Sequence, residues 1–463
     1  MNLRVNIEQL RTNCRSYPDP QQGAFEIFMH TKNAGILLVL VCLAFSFLIV
    51  FFRLSAPQNQ DASLTPPRLV LAHDKGNMPW FHQSFSRQGK KAESEIGTGF
   101  IPVASPGTDL YMSQMKARLP TPRAPALFTW WSAWRVKELV EKGLVNDLTH
   151  IWDRYADEYP REIRDAYTID GKIYGFPYSV EYWPIWYNKP LFEKLGIQEP
   201  ETWEEFMAAC RKLKAASVPP VASTLQMKWY ACIWFAALVM GEDPLLYEQL
   251  CNGEVRYTNV RVKKAVTIWT DMIGKGYFTD PSLNLFTNGG HLWNNEAFGM
   301  VLCGSWYYST ILRRQGVKKA DIGVFILPPH NPAAQKSIMM ESGPVLTAAN
   351  SPHRNQAEAI ADWWMSEAGS RHFANTFRSY SANRKIGAGH LQPVRQKLLS
   401  AIEKQDCRIV NRYWEATPAP IVDAALENFT RIILNPDEKD AVLTEMDNTA
   451  KACWAQIRRI DEK

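Results

Sequence analysis

An uncharged run of nineteen residues near the start, AGILLVLVCLAFSFLIVFF from Ala34 to Phe52, constrains this chain more than any other feature. As a helix it rises about 28 Å, enough to cross a hydrocarbon core of about 30 Å with little tilt. Lys32 and Arg53 bound it, and only Ser46 and Cys42 interrupt its apolar surface, so it has no polar face to turn towards water. It is expected to be a transmembrane signal anchor or a signal peptide. A cleaved signal would have a shorter apolar region and a small-residue site, and Leu54-Ser55-Ala56 is followed by Pro57. A lipid-attachment signal needs a small residue before its cysteine, and Val41 precedes Cys42. An uncleaved anchor remains, with 1–33 as a short tail. A start at Met29 would leave a shorter basic lead. The polar, proline-containing segment 53–67 then reads as a linker.

Beyond that linker the chain alternates strand and helix patterns, which argues for an α/β fold. RLVLA (68–72), PALFTW (125–130), AFGMVLCGSW (297–306) and IGVFILP (322–328) are expected strands. Asp170-Gly171 is a hairpin signal. Thr202 with Glu205 fits a capping box, Ser132 is an expected N-cap, and Ser351-Pro352 is expected to open another helix. The pattern from Asp437 to Arg459 predicts a last helix with Val442, Met446, Ala450, Cys453 and Ile457 on one stripe.

Composition narrows the function classes. Lys+Arg 52 against Asp+Glu 47 gives a net charge of only +5, with no basic run, so no nucleic-acid partner is expected. Eight cysteines form no CxxC pair, and the nine histidines are isolated, so neither a metal nor another cofactor is expected. Cys210 and Cys303 lie in apolar segments and are expected to be buried thiols. Phosphate-loop, dinucleotide, nucleophile-elbow and zinc-protease motifs are missing from the sequence, so no catalytic residue is assigned. The 17 tryptophans stand out, because an indole N–H needs a partner when buried and a flat ring suits a binding surface. Glu181, in SVEYWPIWYNK, has three open readings: the acid of a glycosidase, an acceptor for sugar hydroxyls, or a structural carboxylate.

The stretch GKIYGFPYSVEYWPIWYNKPLFEKLGIQEPETWEEF resembles the extracellular solute-binding proteins of ABC importers, the maltose-binding type. VRVKKAVTIWTDMIGKGYF, GMVLCGSWYYSTI, IGVFILPP and SGPVLTAANSPHRNQAEAIADWWMSEAGSRHF are similar to later segments of that family, in the same order, between about Arg68 and Arg459. The resemblance implies a two-lobed periplasmic-binding-protein fold with a hinge, class II in type, whose cleft closes on a solute. It places lobe 1 at 68–178 plus 323–376 and lobe 2 at 182–322 plus 380–459. It also implies a sugar or polyol as the small-molecule solute, permease subunits as membrane partners, an extracytoplasmic domain on the cell membrane, and a monomer.

Residue by residue, the resemblance puts Asp74 and Lys75 in a DKG loop after the first strand. In TWWSAWR it puts a stacking ring at Trp131 and an arginine contact at Arg135, while Trp134 stands where the family has an acidic contact. Glu181 falls at a carboxylate contact beside the hinge. Trp229 matches an aromatic contact, with Met227 in place of an acidic one, and Trp306 matches a stacking tryptophan. Tyr380 or Trp414 stands in for a C-terminal aromatic contact, and Glu341 completes the expected set. Two acidic contacts are therefore replaced, which implies a cleft more aromatic than the maltose pattern. A carbohydrate-active enzyme using Glu181, or a tethered solute sensor, remains the alternative.

Overall fold

A computed structural model describes residues 68–461 of the chain. The apolar run 34–52, the tail before it and the linker 53–67 lie outside the described residues. Among the described residues no helix is long and apolar enough to cross a membrane.

Twelve strands alternate with helices among the described residues: β1 (Leu69–His73), β2 (Phe100–Ala104), β3 (Leu127–Thr129), β4 (Thr168–Ile169), β5 (Lys172–Ile173), β6 (Phe176–Tyr182), β7 (Ile185–Asn188), β8 (Val221–Ala222), β9 (Met300–Leu302), β10 (Ile322–Phe325), β11 (Ser337–Thr347) and β12 (Arg408–Asn411). The first sheet runs β12-β11-β3-β1-β2, with β6 paired to β11, and the second runs β10-β7-β9-β8. β1 is parallel to β2 and β3, as βαβ crossovers require, whereas β11 runs antiparallel to β3 and β6. Buried Leu69, Leu71, Phe100 and Leu127 fill the first sheet's core, each contributing about 1.5–3 kcal/mol. The helix Ala231–Glu242 is buried on every side, which explains its run of apolar residues without a polar stripe.

The two sheets are joined by very short chain. β6 ends at Tyr182 and β7 begins at Ile185, so only Trp183 and Pro184 lie between them. Two strands differ from the expected division of the chain. Ile322–Phe325 overlaps the head of the expected lobe 1 return segment, yet it pairs with β7 in the second sheet. Arg408–Asn411, expected with lobe 2, pairs with β11 in the first. Both runs are only four residues long, and their sheet is decided by distant partners that local patterning does not encode.

Several local signals appear as expected. Asp170 (φ 48°) and Gly171 (φ 77°) form the tight turn between β4 and β5. Thr202 and Glu205 cap the helix Trp203–Ala215 reciprocally. Cys210 and Cys303 are buried thiols. Two helix starts differ. The helix after Ser132 begins at Trp134 with Ala133 as its cap, and that Ala133 is held at φ 50°, a strained conformation for a residue with a Cβ. The helix after Ser351-Pro352 begins at Arg354, because His353 rather than Ser351 stands at its cap.

Candidate functional site

The most elaborate side-chain cluster lies where the two sheets meet. Its floor is the Gly304-Ser305-Trp306 turn after β9. Any Cβ at Gly304 would overlap the Trp306 indole, so glycine is what lets this ring fold back over its own backbone. Ser305 is fully buried and docks the turn onto β6: its N–H donates to the Tyr182 carbonyl (2.7 Å), and its hydroxyl accepts from the Tyr182 N–H (3.1 Å). The same hydroxyl donates to Glu181.

Around Trp306 stand Trp183, between the sheets, and Trp229 and Phe286, from the second-sheet side. Trp183 meets Trp306 at 6.2 Å and Trp229 at 5.9 Å, both edge to face, and Phe286 lies 5.8 Å from Trp306. Edge-to-face packing fixes each ring through its neighbour and leaves Trp229 and Trp306 half-buried with ring surface facing outwards.

Charge enters from β11 and β12. Trp183 donates its indole N–H to Glu341 (3.1 Å), and Arg412 pairs with the same carboxylate at 2.9 Å. The Arg412 guanidinium lies 5.3 Å from the Trp183 ring centre and 5.9 Å from that of Trp229, and its Nε donates to Glu415 (3.0 Å). Burial alone would lower the Arg412 pKa, but Glu341 and Glu415 raise it above the ordinary value, so this cation is permanent. Glu415 is pushed up by its own burial and held back by Arg412.

Glu181 sits directly opposite Glu341 in the β6–β11 register. It is only 5% exposed, and Arg395 approaches it at 3.4 Å. Burial raises its pKa to about 7, with Arg395 and Ser305 pulling it down and Glu341 pushing it up. Tyr380 lies under the Arg395 guanidinium (4.2 Å) and donates to the Arg395 carbonyl (3.2 Å); it is 2% exposed, with its phenol pushed up to about 12, mainly by burial.

The first-sheet side is built differently. After β1, Asp74 pairs with Lys75 (2.8 Å) and accepts from the Thr108 hydroxyl (3.1 Å). His73, fully buried beside them, has its pKa lowered to about 4, chiefly by burial. Trp131 packs edge to face on Trp130 at 5.1 Å. Trp134 meets Trp454 of the helix Lys439–Asp461 at 5.2 Å. Arg135 lies over Trp414 at 4.7 Å, and its pairing with Glu138 is a loose 3.7 Å. Among the described residues, the buried Thr129 and Ser132 hydroxyls, Nε and Nη2 of Arg135 and the Trp414 indole N–H have no hydrogen-bond partner. Buried donors without partners are rare, and these five atoms lie on the strained Ala133 turn, on β3 and on Trp414.

The structure thus joins Trp229, Trp306 and Glu341 through Trp183, and gathers Glu181 and Tyr380 around Arg395. Asp74 with Lys75, Trp131, and Trp134 with Arg135 stand in separate groups on the first-sheet side. Sequence reasoning missed Trp183, Phe286, Ser305, Arg395 and Arg412. Trp183 carried a signal, two residues from Glu181 in an aromatic run; Arg412 and Arg395 sit among ordinary surface-type sequence and carried none.

Residues 101–370 match the family described as bacterial extracellular solute-binding protein, and the chain belongs to that family. It is 25% identical over 356 residues to an uncharacterised ABC transporter extracellular-binding protein of Pyrococcus horikoshii, covering 73% of each. Among solved structures it is similar to a bacterial solute receptor with a preference for β-D-galactopyranose (TM-score 0.75, 17% identity, 83% of this chain and 99% of the other). A chitin oligosaccharide binding protein is also similar (TM-score 0.71, 19% identity, 83% and 98%). At these identities the structural likenesses establish the fold.

Proposed function

We propose that the chain is the solute-binding component of an ABC importer, holding a carbohydrate-like solute at the seam between the two sheets and handing it to a membrane permease. The Trp183–Trp229–Trp306 cluster beside Glu341 and Arg412 carries this reading. Flat rings cover the apolar C–H faces of a sugar, while fixed carboxylates and unpartnered donors bond its hydroxyls. Asp74, Lys75, Trp131 and Arg135 supply such polar and aromatic contacts from the first-sheet side. The family and the sugar ligands of its structural relatives support the class of solute.

Two lobes built around the two sheets, hinged at Tyr182–Ile185 and at the Phe325–Ser337 connection, close over the solute. Capture is reversible and breaks no bond; the cover of Ser305 and Arg395 over Glu181, the candidate glycosidase acid, supports this reading. Ala34–Phe52 tethers the binding domain to the membrane on its extracytoplasmic side.

A thermal-shift panel of mono-, di- and oligosaccharides, polyols and amino-sugars tests the reading, because a ligand that binds only the folded state raises its melting temperature. At least one sugar should raise it in the native protein and not in Trp306→Ala. A panel without any shift at millimolar concentration would remove the carbohydrate assignment.

A further inference from the structure

Two carboxylates face each other across the strands that join the halves of the molecule. Glu181 on β6 is the direct partner of Glu341 on β11. Like charges directly opposite on neighbouring strands repel, and both side chains are largely or wholly withdrawn from water. Their compensation is unequal. Glu341 has Arg412 at 2.9 Å and the Trp183 N–H at 3.1 Å. Glu181 has the Ser305 hydroxyl and, at a looser 3.4 Å, Arg395, whose guanidinium also donates to the Arg378 carbonyl and covers the Tyr380 ring. Burial with a looser cation favours the protonated form of Glu181.

Glu181 is also the carboxylate that touches the Trp306 turn. Ser305 donates to it and sits between Tyr182 of β6 and Trp306, so the stacking ring is placed by a contact that Glu181 completes. We infer that Glu181 is a positioning residue that takes up one proton when the second-sheet turn closes onto the hinge strand, so that closure of the two halves is proton-linked.

The environment sets the direction of the linkage. Glu341 faces Glu181 from β11, Arg395 from the helix Pro393–Lys404, Ser305 from the turn after β9, and Tyr380 from the segment bridged to Val180; Tyr182 neighbours it on its own strand. With these in place the Glu181 pKa rises from 4.5 to about 7, burial being the largest cause. Withdrawing the Ser305 turn admits water, and the pKa falls back towards the ordinary value. A group with a raised pKa in the closed form favours closure most fully below its open-form value. That contribution is lost as pH rises to about 7 and is constant above it. Within this window the closed-to-open ratio falls by about tenfold for each unit separating the two pKa values.

This inference rests on the reading of two halves that close over a solute, but its test needs no solute. The full chain, labelled with 5-fluorotryptophan in detergent micelles, is titrated by ¹⁹F NMR without ligand, and Trp306→Phe assigns the resonance. The Trp306 signal should move through one transition whose midpoint lies between the open-form and closed-form values, above 4.5 and below about 7. Glu181→Gln should abolish the transition and fix the signal at its low-pH position. Glu341→Gln should lower the midpoint, and Ser305→Ala should raise it while shrinking the Trp306 response. A transition that persists in Glu181→Gln, or a Trp306 signal that does not respond to pH, overturns the inference. If Glu181→Gln does not fold, an unchanged midpoint in Glu341→Gln overturns it equally. A protein that passes this test and binds no sugar would leave the proton linkage standing and the solute class wrong.

Discussion

The two sides of the seam are made of opposite materials. On the second-sheet side, Trp229, Trp306 and Phe286 hold one another in place through tilted and edge-to-face ring contacts, with Trp183 behind them. On the first-sheet side stand an ion pair at Asp74 and Lys75, a strained turn at Ala133, and buried hydroxyls and N–H groups without partners. The aromatic side offers ring faces; the polar side has hydrogen-bonding capacity left over. A solute with an apolar face and a hydroxyl edge would satisfy both at once, which links the arrangement to sugar capture. Affinity should come mainly from the rings, and discrimination between solutes from the polar side.

The comparison breaks most visibly at Arg412, which serves both sides. Arg412→Met should cost about 3–5 kcal/mol of folding stability in urea denaturation, because it leaves Glu415 buried beside Glu341 without a counter-ion. Next, Trp306→Ala should weaken solute binding by about 2–4 kcal/mol in calorimetry, the scale of a central aromatic anchor. Melting temperature without solute should change far less, since Trp306 is only half-buried. Asp74→Asn sharpens the contrast with a smaller effect: about 1–2 kcal/mol of affinity, and a changed ranking of epimers rather than a uniform loss. Equal losses across all epimers would show that the polar side does not discriminate.

The two sides should also differ in their pH dependence. Neutral His73, its pKa lowered from 6.5 to about 4, contributes stability that is fully present above about 6.5 and is lost as pH falls towards 4. His73→Asn should therefore flatten the acid side of the stability profile in urea melts between those limits. Glu181 acts in the opposite sense, losing its contribution as pH rises from 4.5 to about 7. The first-sheet side should thus weaken in acid, and the β6–β11 pairing at Glu181 should weaken towards neutral pH.

How legible this was depended on the distance over which each feature is encoded. The Asp170-Gly171 hairpin and the Thr202 capping box are local rules, and both appear where the residues put them. Trp306 was legible because Gly304 and Ser305 stand beside it in sequence. The Glu181–Glu341 pairing was not, because a strand register spanning 160 positions is set by partners that local patterning does not reveal. Trp134 shows the same limit. Beside Trp131 and Arg135 it reads as a cleft residue, yet it packs against Trp454, which sits over Gly253 at φ 72° where any Cβ would overlap the indole. The apolar run at 34–52 is plain in the sequence and lies outside the described residues.

Fluorine spectra of the full chain labelled with 5-fluorotryptophan, recorded while a sugar identified by thermal shift is added, show whether the solute sits against the tryptophans of the seam. The 17 indoles supply both probes and controls. Trp183, Trp229 and Trp306 should shift with the sugar, while Trp152, Trp269 and Trp293 in the core should stay in place. Shifts confined to tryptophans away from the seam, with Trp306 unmoved at saturation, would contradict the account.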